Sequence, residues 1–188
     1  MTTPRLPMLS LEEAAAAARK LEIPAQIAEL NIFRVLLAHP ELAKRVNDLL
    51  LTLLLRGRLD ARLRELVIMR LGWATGCEYE WAQHWRIALQ LGLGEADLLA
   101  VRDWRDSDVL SDADKAVLAA TDEVLADGAV SPETWARCAS LVGGAEALLE
   151  LVAAIGTWRM ISVVLRTLEI PLEDGVESWP PDGLSGGP

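Results

Sequence analysis

Cys77, Glu80 and His84 are the side chains in this sequence whose types and spacing best suit chemistry. On an α-helix, at about 100° per residue, the three fall within an arc of about 60° and face one way. Cys77 and His84 are two turns apart, about 10 Å along the axis, so thiol and imidazole do not touch easily. Glu80 lies between them, one turn from each, as a neighbour to both. A carboxyl and an imidazole on one face suit proton transfer. The same spacing sets Cys77 and His84 too far apart to share one ion, so no metal site is expected. Gly76, just ahead, lets the chain turn sharply into this helix.

Helices must position these residues. Ser10 followed by Glu13 is a capping-box signature that opens a helix over about Leu11–Leu21. Pro24 restarts the chain, and Ile27, Leu30, Ile32, Phe33, Leu36 and Leu37 follow a helical period. Pro40 begins a helix to about Leu55, and Asp60 can cap the next, Ala61–Ala74. Thr75-Gly76 breaks that helix before Cys77–Leu91, and Gly92 and Gly94 close the latter. A short helix, Glu95–Val101, follows. Later starts stand at Ser111 and at Ser131-Pro132, and a long apolar helix runs over Ala145–Leu168. No segment alternates as a strand would. The reading is all-α, one compact multi-helix domain of about eight or nine helices. Residues 1–10 form an N-terminal arm, 11–170 the helical domain, and 171–188, rich in Pro, Gly and Ser, a C-terminal tail that is an arm or a disordered end.

Composition excludes several functions. A formal charge of −10, from 28 acidic and 18 basic side chains, repels nucleic acid and anionic lipid. No nucleic-acid or membrane partner is expected. The apolar run Leu49–Leu55 is too short to span a bilayer, and Glu12 and Glu13 ahead of the alanine run do not read as a signal peptide. Two cysteines, Cys77 and Cys138, make no disulfide framework, so a cytoplasmic location is expected. Seven tryptophans against one tyrosine (Tyr79) and one phenylalanine (Phe33) supply large, stiff apolar surface for core or pocket walls.

The stretch Glu65–His84 resembles the carboxymuconolactone decarboxylase and alkylhydroperoxidase-D-like family. Its recurrent pattern is a Glu some twelve residues before a cysteine, a second position three on, and a His four beyond. Here these fall on Glu65, Cys77, Glu80 and His84. The resemblance extends from Asn31–Arg34 and His39-Pro40 to Trp158-Arg159 and is densest over Asp60–Gly94. It implies an alkylhydroperoxidase-D-like helical fold and a homo-oligomer, a trimer or a hexamer. Peroxidase members carry Cys-x-x-Cys here, whereas this chain has Cys77-Glu-Tyr-Glu80. The missing second cysteine weakens a disulfide route and leaves acid–base work.

The resemblance implies decarboxylation of a small, carboxylated lactone substrate as one reaction, with no cofactor where the substrate accepts its own electron pair. Glu80 would hold the His84 imidazole and make it a general acid, and Glu65 would be a second acid or base. Arg34 or Arg70 would bind the substrate carboxylate, arginine matching it as a fork. Trp73, Tyr79 and Trp81, and Trp85 after them, would wall the pocket. Two other readings stay open: a thiol-dependent hydroperoxide reductase using Cys77, and a non-catalytic helical assembly that binds a small molecule.

Overall fold

The computed structural model describes residues 4–187. Among them are ten α-helices, a 3-10 turn at Trp104–Asp106 and no strand, the all-α class that the periodicity predicts. The chain divides into two compact units, one of residues 4–56 with 164–176 and one of residues 57–163 with 177–187.

The first unit holds α1 (Leu11–Lys20), α2 (Ala25–Ala28), α3 (Asn31–Leu36) and α4 (Pro40–Leu55). The Ser10–Glu13 capping box is formed in both directions. His39 caps α4, its Nδ1 accepting from the Leu42 amide at 3.3 Å. The single helix expected after Pro24 is two, because Leu30 is extended (φ −64°, ψ 133°). Distant groups hold that break: the Asn31 amide donates to Glu173 at 2.8 Å, and its Nδ2 donates to the Pro171 and Leu172 carbonyls. No local signal carries bonds to partners some 140 residues away.

The second unit is built around α5 (Ala61–Thr75). Its Leu66, Val67, Ile68, Met69 and Leu71 are all fully buried, as befits a central helix packed against neighbours on more than one face. Asp60 caps it by accepting from the Arg62 and Leu63 amides. Packed on it are α6 (Glu78–Gln90) and α8 (Asp112–Asp127), with α7 (Glu95–Ala100) against α6 and α9 (Pro132–Leu141) against α8. Arg62 ties these elements together through Asp97 and Asp114, at 2.8 and 3.0 Å. The last helix, α10 (Ala145–Thr167), contributes its residues to Val163. Among the described residues, α10 alone is long and apolar enough to cross a membrane by length and composition. Its Leu151, Ala154, Ile155 and Trp158 belong to the buried core.

Candidate functional site

A left-handed turn sets the site. Gly76 (φ 67°) ends α5, and the Cys77 amide bonds the Gly72 carbonyl at 2.8 Å, so Cys77 becomes the N-cap of α6. Gly72 lets the two helices meet: a Cβ there would stand 3.1 Å from the Trp81 backbone nitrogen and 3.5 Å from the Glu80 Cβ. This close approach presents the buried Glu65 of α5 to His84 of α6.

The His84 Nδ1 lies 2.7 Å from Glu65 Oε2. The indole Nε1–H of Trp158, on α10, donates to His84 Nε2 at 3.1 Å. An indole nitrogen only donates, so Nε2 is the acceptor and the ring proton sits on Nδ1, donated to Glu65. The other oxygen of Glu65 takes the Arg64 guanidinium at 2.9 Å. Burial pushes the Glu65 carboxyl up, but the facing imidazole and the Arg64 guanidinium outweigh it and hold the group below the usual carboxylate range. Arg64, Glu65, His84 and Trp158 thus form one buried polar chain across three helices.

Cys77 and Glu80 form the other half, closed off by Ser162 of α10. The Ser162 hydroxyl donates to Glu80 Oε2, and Thr75 Oγ1 reaches Ser162 at 3.3 Å. Glu80 Oε1 is buried with no hydrogen-bond partner among the described residues. Burial raises the Glu80 carboxyl to about 8, offset only in part by Ser162 and Cys77. Glu80 therefore carries its proton at neutral pH. Burial, and after it the charge that Glu80 gains at higher pH, also pushes the Cys77 thiol well up, so it is a thiol and not a thiolate. Cys138 is buried on α9, bonded to the Ala116 carbonyl at 3.4 Å, and both cysteines are free.

Glu65, Cys77, Glu80 and His84 are thus gathered on α5 and α6, with one change of partner. The residue that holds His84 is Glu65, where sequence spacing pointed to Glu80. An i+4 neighbour shares a helix face, but the buried carboxylate on the adjoining helix makes the contact. Arg70 is tied to Asp122 at 2.6 Å and to the Val101 and Arg102 carbonyls, which uses its fork within the frame. Arg34 lies on α3 in the first unit, bonded to the Leu9 carbonyl and Asn31 Oδ1. Trp73 and Trp81 pack with Trp85 and Trp179 in a cluster, and Tyr79 is buried on α6. Trp158 and Ser162 were not read from the sequence as site residues, whereas Arg64, with Arg62 and Arg70, stood out as a possible ion-pair partner of Glu65. A donor-bearing Trp and a Ser one turn apart in an otherwise apolar helix were the available signal, since a buried indole N–H needs an acceptor. Among the described residues no set of three or more His, Cys, Asp or Glu side chains is arranged to hold a metal ion.

A model of the carboxymuconolactone decarboxylase family matches residues 40–123, the stretch that carries Glu65, Cys77, Glu80 and His84. The match spans 84 of the 188 residues and marks a similarity to that family over this stretch. Solved structures share this helical frame at low identity. A peroxidase-related protein from a Silicibacter species is 14% identical, with a TM-score of 0.74 over 94% of this chain and 97% of its own. An alkylhydroperoxidase AhpD core protein from Ralstonia eutropha is 16% identical, with a TM-score of 0.73 over 93% of this chain and 94% of its own. The debrominase Bmp8, solved with 2,3,4-tribromopyrrole, is 18% identical, with a TM-score of 0.71 over 93% of this chain and 94% of its own. At such identities the likeness is one of fold. No functionally curated protein matches the sequence.

Proposed function

We propose that this protein is a cofactor-independent acid–base enzyme that decarboxylates, or carries out a related proton transfer on, a small carboxylated substrate such as a lactone acid. One observation carries the reading: the Glu80 carboxyl is buried with one oxygen unpartnered, one turn from Cys77 and from His84, and that burial pushes its pKa up to about 8. In the reaction the bond to the departing carboxylate breaks and its electron pair passes into a conjugated carbonyl of the substrate. Carbon dioxide leaves, and Glu80 delivers its proton to the carbon that carried it. The carboxylate left behind is costly in a buried site and recovers a proton from solvent. His84, with Nδ1 on Glu65, offers Nε2 as an acceptor once Trp158 yields it, and so can orient a substrate hydroxyl.

The thiol-dependent reading gains less. Cys77 is held as the neutral thiol, and Cys138 stands on another helix with its own partner. A homo-oligomer belongs to the proposal as well, supported by the exposed Leu149, Val152, Met160 and Val163 on α10.

The test is carbon dioxide release from a panel of lactone and keto acids by the native protein and by Glu80→Gln, which keeps the shape but not the acid. A loss of about 100-fold or more is expected for a general acid. Equal turnover by both proteins refutes the assignment, as does peroxide consumption that depends on Cys77 and is indifferent to Glu80. Sedimentation at the 20.5 kDa of a single chain refutes the oligomer.

A further inference from the structure

The candidate site is shut. Cys77 is 1% exposed and Glu80 2%, so no substrate reaches either in this state. The turn that presents them is covered by one segment, Glu177–Gly187. Trp179 packs against both Trp73 and Trp81, with ring centroids 6.0 and 6.1 Å away. Trp81 Nε1–H donates to the Pro180 carbonyl at 2.7 Å, and Ser178 bonds Glu78 at the start of α6. Asp182 takes both terminal nitrogens of Arg102, at 2.7 and 3.0 Å, while that guanidinium lies 4.5 Å over the Trp73 ring. Gly186 seats the end of the segment on the turn itself. A Cβ at Gly186 would stand 2.2 Å from the Trp73 carbonyl oxygen, and one at Gly76 would stand 3.2 Å from the Gly186 oxygen.

This attachment is tight in shape and light in burial. Only Trp179 and Pro180 are buried in the segment, and the residues on either side of them are mostly exposed. Segments held by few buried contacts and a partly exposed ion pair open at far less cost than the whole fold. Glu65, Cys77, Glu80, Trp158 and Ser162, by contrast, lie in packed helices. We propose that Glu177–Gly187 is a strap that closes the site, and that its release from the Trp73–Gly76 turn admits substrate to Cys77 and Glu80. The proposal takes the site from the preceding reading but not the reaction, because thiol reactivity reports access without turnover.

The test is alkylation of the native protein by a small neutral maleimide, with Cys77 and Cys138 quantified separately by peptide mass spectrometry. Cys138, buried on α9 away from the strap contacts, reports general loosening of the fold. Gly186→Ala drives a methyl into the Trp73 carbonyl and should raise the Cys77 rate about tenfold or more, since backbone must move to relieve the contact. Asp182→Asn removes the ion pair, whose carboxylate is exposed while Arg102 is largely covered, and should raise it about two- to fivefold, an effect that 0.5 M salt reproduces in part in the native protein. Cys138 should be unchanged throughout. A Cys77 rate unmoved in both variants, or one rising in step with Cys138, overturns the strap. Should Cys77 respond as expected while no acid substrate is turned over, the strap stands and the decarboxylase reading falls.

Discussion

Trp158 donates its indole N–H to the imidazole nitrogen of His84 that Glu65 leaves free. The ring is thereby held between a donor on α10 and an acceptor on α5, in one tautomer. His39, the other histidine, is held the opposite way, since its Nδ1 accepts from the Leu42 amide. Long-range proton–nitrogen NMR at alkaline pH should show two neutral histidines of opposite tautomer, with the proton on Nδ1 in His84 alone. Trp158→Phe should leave the His84 tautomer in place while costing about 1–3 kcal/mol for the unpaired Nε2.

Stability should depend on pH through Glu80. Its folded pKa of about 8 stands above an ordinary value of 4.5, so the fold favours the protonated form. That contribution is complete below pH 4.5 and is lost as pH rises through 8. Urea denaturation should show the native protein losing a few kcal/mol, on the order of 1.4 kcal/mol per pH unit, across this window. Glu80→Gln should be nearly flat there.

Glu65 answers in the opposite sense. Its pKa is held low, so its contribution is present above the ordinary carboxylate value and disappears on acidification. Glu65→Ala leaves Arg64 buried without its carboxylate and should destabilise the protein by about 3–5 kcal/mol, read by chemical denaturation at pH 7. Arg64→Met combined with it should recover part of the loss.

Gly72→Ala places a methyl 3.1 Å from the Trp81 backbone nitrogen, a neighbour that cannot swing aside. The helices α5 and α6 must part slightly, at about 1–3 kcal/mol, which calorimetry should register as a lower Tm. The shift also moves Glu65 from His84, so whatever turnover the protein has should fall with it.

The helices were legible because their ends are written locally, in Ser10 with Glu13, in Asp60, in Gly76 and in Ser131-Pro132. The grouping of the candidate residues was legible for a similar reason: Cys77, Glu80 and His84 are close in sequence, at the cap and on the first turns of one helix. What spacing could not supply was the third dimension. Glu65 and Trp158 approach His84 from helices that sequence distance does not order, and their contacts decide its tautomer. The break at Leu30 follows the same rule, fixed by residues 171–173. Arg70 looked available because its partners, Asp122 and the Val101 and Arg102 carbonyls, lie far along the chain.

The packing of Trp179 against Trp73 and Trp81 has a practical side. Trp179 is the one indole carried by the strap, and it rests about 6 Å from two others beside the Arg102 guanidinium. Indole emission changes with the polarity and charge around the ring, so lifting the strap alters the protein's own fluorescence. The molecule thus bears an internal optical reporter at the mouth of its site. Libraries of small acids can be screened for binding in this light alone, before any product is known.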